Sequence, residues 1–176
     1  MAYPQLVQRT EEVDQDSLRT LVCERFGIDP GVFNNLVFFR SNSRLVSIVN
    51  KDHVPVEGHG VEAKGITFLH AQMRFPKLTT AAVYFIGGHA SRNVVSLTRD
   101  ETDAFLSRET INLEDAEIER CTSQGYIVVK HEGIVMGLGF LRFPAEGGAE
   151  LESYFPKSWS IERGGSAFGL PEQASL

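Results

Sequence analysis

The stretch GYIVVKHEGIVMGLGFLRF, residues 125–143, constrains the fold more than any other part of the chain. Two apolar runs rich in β-branched residues lie on either side of His131-Glu132-Gly133, so they read as two paired strands joined at a glycine turn. Gly137 and Gly139 lie inside the second run. Glycine weakens a strand interior, and there it marks a bulge or the close approach of another backbone. Residues 149–161, AELESYFPKSWSI, add one or two short strands, with Pro156 best accommodated at an edge. The second half of the chain is therefore expected to be mainly β.

The first half carries mixed signals. Residues 1–13 read as a loose lead-in. Asp16 or Ser17 can cap a helix over about 17–26, with Leu18, Leu21, Val22 and Phe26 on one face and Gly27 as its stop. LVFFR (36–40) and RLVSIVN (44–50) flank the turn SNS and form a hairpin. Residues 51–65 read as loop, and 66–75 as a further strand. Thr79 or Thr80 can cap a short helix over AAVYFI (81–86), although periodicity alone leaves a strand open there. NVVSL (93–97) is a strand. Thr98 and Glu101 then form a capping box for a helix reaching about Arg108 and burying Phe105 and Leu106. The expected class is α+β: an α/β unit over 1–94, a β unit over 95–163, and a polar tail over 164–176.

The net charge of −6 is unevenly spread. Residues 1–94 hold ten Lys and Arg against nine Asp and Glu, whereas 95–176 hold seven against fourteen. Residues 40–92 alone carry seven basic side chains against three acidic ones. A polyanion needs local positive charge, not a positive total, so an electropositive surface is expected around the middle of the chain. Two cysteines, Cys23 and Cys121, lie far apart without a CxxC; Cys23 reads as core packing, and a reducing cytoplasm fits. The N-terminus lacks the basic and apolar regions of a secretory signal, and no apolar run reaches the roughly 20 residues a membrane span needs.

The second half resembles a PUA domain, the small pseudo-barrel of many RNA-modifying proteins. The resemblance rests on Gly125-Tyr126-Ile127-Val128-Val129, His131-Glu132-Gly133, Met136-Gly137-Leu138-Gly139, and Leu151 with Tyr154-Phe155-Pro156-Lys157. Over residues 20–160 the chain is similar to the C-terminal extension of ribosomal RNA cytosine-C5 methyltransferases. It is similar, too, to small two-domain PUA-containing ribosome-biogenesis factors. Here the matching pieces are Arg25-Phe26-Gly27-Ile28, Val32-Phe33, Pro76-Lys77-Leu78-Thr79 and the run from Arg92 to Thr98. The resemblance implies binding to ribosomal or other structured RNA, with an RNA methyltransferase or ribosome-assembly protein as a possible partner. By position it points to Arg108, Lys130, Arg142 and Lys157, with Arg74, Lys77 and Arg92 extending the surface. One departure is the acidic second half, with Asp100, Glu101, Asp103, Glu114, Asp115, Glu117 and Glu119. It opens an alternative, a protein-interaction module that recruits a separate RNA-modifying enzyme.

No catalytic residue, cofactor or metal is expected. GLGFL lies within a strand and opens no helix, so it fails the context of a dinucleotide fingerprint. Neither cysteine sits in a methyltransferase motif, and the chain is too short for both units and a catalytic domain. His53, His59, His70, His89 and His131 have no metal-ligand spacing, and no GxSxG elbow is present. Phe38, Phe39, Phe68, Phe75, Tyr84 and Phe85 could stack on bases, but their apolar runs assign most of them to the core.

Overall fold

A computed structural model describes residues 14–42, 44–54, 65–70 and 73–161. The expected lead-in, most of the 51–65 loop and the tail lie outside these residues. The chain begins with α1 (Gln15–Phe26). Its cap is Asp14, ahead of the expected Asp16 or Ser17: the Asp14 carboxylate accepts from the Ser17 amide at 3.0 Å and the Ser17 hydroxyl at 2.6 Å. Val22, Cys23 and Phe26 are buried, whereas Leu21 points largely to solvent. The strands β1 (Leu36–Arg40), β2 (Leu45–Asn50), β3 (Ile66–His70) and β4 (Lys77–Leu78) follow, and they pair in that order. Every pairing is antiparallel, so the first half combines its helices with an antiparallel sheet.

Thr79 then caps α2 (Thr80–Ile86), accepting from the Ala82 amide, and this settles AAVYFI as helix. β5 (Val94–Ser96) leads into α3 (Arg99–Leu106), whose Thr98–Glu101 capping box is present. The helix stops at Leu106, short of Arg108, which adopts φ +63°. The remaining strands are β6 (Thr110–Leu113), β7 (Gly125–His131), β8 (Ile134–Arg142) and β9 (Ala149–Ser153). They form a five-stranded sheet in the order β5-β7-β8-β9-β6, with β5 parallel to β7 and the other pairs antiparallel. The expected bulge is present: the β7–β8 register shifts between Val129 and Lys130, opposite Met136.

This second sheet is buried on both faces, which explains why residues 126–129 are apolar without alternation. Tyr126 and Val128 enter one core with Phe26, Phe33, Phe38 and Phe68. Ile127 and Val129 enter another with Phe105, Leu106 and Leu151. Val94 and Val95 divide in the same way, as do Phe140 and Leu141. The first core is therefore continuous across residue 94, and the two sheets share it. Its centre is a triangle of phenylalanines, Phe33, Phe38 and Phe68, with ring centroids 5.5 to 6.1 Å apart.

Gly139 admits β9 to close range, since a Cβ there would lie 2.4 Å from Leu151 Cδ1. Leu151 is fully buried among its core neighbours. Gly139→Val is expected to lower unfolding stability by about 1–3 kcal/mol through overpacking. Urea titration of the full chain measures it, and an unchanged midpoint contradicts the packing described.

Candidate nucleic-acid interface

The β7–β8 register sets Tyr126 directly opposite Phe140. Their rings meet edge to face, 4.9 Å apart at 83°. Tyr154 follows β9 and donates its amide to the Leu138 carbonyl at 3.0 Å, which swings its ring onto Tyr126 at 5.2 Å and 86°. Phe75 completes the cluster from the first half, 5.5 Å from Phe140. Gly125 makes room for it: a Cβ there would stand 3.0 Å from Phe75 Cδ1 and 2.9 Å from the Arg25 guanidinium.

Three cations lie on these rings. Lys77 Nζ sits 4.5 Å from the Tyr154 centroid and 5.3 Å from that of Tyr126. The Arg142 guanidinium is 4.9 Å from the Phe140 ring, and that of Arg74 is 5.2 Å from Phe75. Each is a cation–π contact, which holds a charge in place without neutralising it. Arg142 also donates through Nη2 and Nε to Glu152 Oε2, at 2.7 and 3.2 Å. That hydrogen bond and the carboxylate charge raise the Arg142 pKa. Burial lowers the Lys77 pKa, with Glu152 opposing the shift. Beside Lys77 a cleft of about 230 Å³ opens between His70, Thr79, Thr80, Leu138 and Tyr154. Burial, and then the Lys77 charge, lower the His70 pKa.

The structure brings Arg74, Lys77 and Arg142 together and places the other four expected residues elsewhere. Lys130 is turned inward, donating to the Gly88 and Ala90 carbonyls at 3.3 and 3.2 Å. It ties β7 to the turn after α2. Arg108 donates to the Phe155 carbonyl, which fastens the end of α3 to the segment after β9. Lys157 is exposed two residues beyond that carbonyl, and Arg92 is exposed at the entrance to β5. Sequence reasoning missed His70, Glu152 and Tyr154 as parts of the site. The alternation in LESYF carried a signal for two of them, because Glu152 and Tyr154 are half-exposed between buried Leu151, Ser153 and Phe155. It assigned Tyr84 and Phe85 mainly to the core, yet both are more than 40% exposed.

Residues 92–161 match the family model described as the methyltransferase RsmF PUA domain. The match runs from the entrance of β5 to the segment after β9 and covers less than half of the 176 residues. Over this segment the chain is similar to the PUA domain of an RsmF-type ribosomal RNA methyltransferase. A PUA domain is an RNA-binding domain. No curated protein matches the chain. Tyr126, Phe140, Arg142 and Tyr154 belong to the matched segment; Arg74, Phe75 and Lys77 come from outside it.

The lowered His70 pKa has a consequence for stability. The unfolded chain takes up the proton first, so this contribution is complete above pH 6.5, the ordinary histidine value, and is lost as the pH falls through the lower folded value. His70→Asn is expected to flatten the acid side of the stability–pH curve. Denaturant midpoints between pH 7.5 and 5 measure it, and an equally steep decline in the variant contradicts the assignment.

Proposed function

We propose that this protein is a non-catalytic RNA-binding factor acting on ribosomal or other structured RNA, in ribosome assembly or RNA modification. The observation that carries the reading is the convergence of Arg74, Lys77 and Arg142 on one ring cluster, beside a PUA segment. Ring-held cations lose little side-chain freedom when a phosphate arrives, and Arg142 offers a fork that matches phosphate oxygens. The acidic excess over 95–176 supports a restricted approach, because a polyanion repelled elsewhere is left with this seam. The free cysteines Cys23 and Cys121 are compatible with the reducing cytoplasm proposed as its location. A separate RNA methyltransferase or assembly protein is the proposed companion, supported by the RsmF-type domain.

Binding is expected to be salt-dependent, with a slope of about −0.9 in log–log form for each duplex phosphate neutralised. Lys77→Met and Arg142→Glu should each weaken binding and make that slope shallower by roughly 1. Glu152 competes with phosphate for Arg142, so Glu152→Gln should tighten binding at low salt. Fluorescence anisotropy with a structured ribosomal RNA fragment at several salt concentrations measures all three variants. Wild-type affinity in both cation variants overturns the proposed surface.

A further inference from the structure

A second pair of rings stands in solvent, distinct from the ring cluster of the seam. Trp159 is 58% exposed and Tyr84 42% exposed, with ring centroids 6.3 Å apart and planes tilted by 40°. Both are held firmly. The Tyr84 hydroxyl donates to the Met136 carbonyl at 2.7 Å. Trp159 lies in a short 3-10 turn, donates its amide to the Pro156 carbonyl at 2.9 Å, and packs on the buried Phe155 ring at 6.3 Å and 67°. Folding gains little from large rings left in water, so a fixed, exposed pair calls for a ligand.

The neighbouring charge indicates which ligand. Lys157 is exposed two residues before Trp159, and the Arg108 guanidinium rests on the Phe155 carbonyl beneath it. In the other direction α2 leads to the cation–ring seam. Thr80 lines the cleft beside Lys77, and Tyr84 lies one helical turn further on along the same face, about 6 Å away by helix rise. Lys157 thus lies two residues from Trp159 along the chain, and Lys77 lines the same cleft as Thr80, one helical turn before Tyr84. Tyrosine and tryptophan also anchor protein interfaces, but a lysine near each ring along the chain or the cleft favours a polyanion whose bases can lie on the rings.

We propose that Tyr84 and Trp159 form a stacking platform for unpaired bases of the bound RNA, whose flanking phosphates lie on Lys157 and Lys77. This rests on the RNA-binding reading above and adds to it that the RNA is single-stranded where it meets α2. The platform tolerates many sequences, since every base offers a π-face and no hydrogen-bond readout is required.

Trp159 is the only tryptophan in the chain, so its fluorescence reports on the platform alone. The full-length protein is titrated with an oligouridylate of eight nucleotides and with a base-paired RNA hairpin whose loop is closed to stacking. The oligouridylate is expected to quench Trp159, and the hairpin to leave its emission unchanged. By anisotropy, Trp159→Ala and Tyr84→Ala are expected to weaken oligouridylate binding by about 5- to 150-fold, the range of one lost base–ring stack. Trp159→Phe and Tyr84→Phe keep a ring and should retain most of the affinity. Unquenched Trp159 at saturating oligouridylate overturns the platform, and so does wild-type affinity in both alanine variants. If Lys77→Met or Arg142→Glu still weakens binding of structured RNA in that case, the platform alone fails and the RNA-binding reading stands. If Lys77→Met and Arg142→Glu are also without effect, both fail.

Discussion

The structure depends on one strand that serves two cores. Along β7, Tyr126 and Val128 face the phenylalanine-rich core of the first half, and Ile127 and Val129 face the core under α3. Strand geometry sends successive side chains to opposite faces, so an unbroken apolar run is stable only where both faces are covered. The first half supplies one cover and α3 the other. At roughly 25 cal/mol per Å² of apolar surface removed from water, neither face of such a sheet could be left open cheaply. The second sheet and the first half are thus joined by burial and not merely by a linker.

The candidate site follows from the same arrangement. Where the shared core reaches the surface, Tyr126 and Phe140 form its last cross-strand pair, and Tyr154 and Phe75 close over them. These rings are hydrophobic towards the core and present π-faces to the cations at the rim. Lys77 and Arg74 come from the first half and Arg142 from the second sheet, so the cluster exists only when the two are packed together. Glu152 pairs with Arg142 in this structure, and under the proposed function a phosphate would displace or share that contact.

Local signals in the sequence carried much of the architecture. The β1–β2 hairpin, the capped α3 and the bulged pair β7–β8 each declare themselves within a dozen or so residues, through turn residues, a capping box and glycine punctuation. β6 was not foreseen. Its TINL segment is four residues long, and its partner β9 lies some forty residues further on, so nothing nearby marks it as a strand. The cap of α1 shifted because Asp14 and Ser17 bond each other, a choice among nearby acidic and hydroxyl residues that composition does not rank. For the site, charge and family resemblance named Arg74, Lys77 and Arg142, but their convergence is a product of packing. Packing also captured Lys130 and Arg108 by backbone carbonyls distant in sequence. The exposure of Tyr84 was equally hidden, since an aromatic in an apolar run reads as core until its neighbours are placed.

The central claim is that RNA meets the protein at the seam where Lys77 and Arg142 lie on the rings of Tyr126, Phe140 and Tyr154. Ultraviolet cross-linking of the full-length protein to a bound structured RNA, with the linked peptides identified by mass spectrometry, tests it most directly. The account predicts cross-links in the peptides carrying Phe75 and Tyr154. Cross-links confined to the acidic stretch from Asp100 to Glu119, with the seam peptides unmodified, would contradict it.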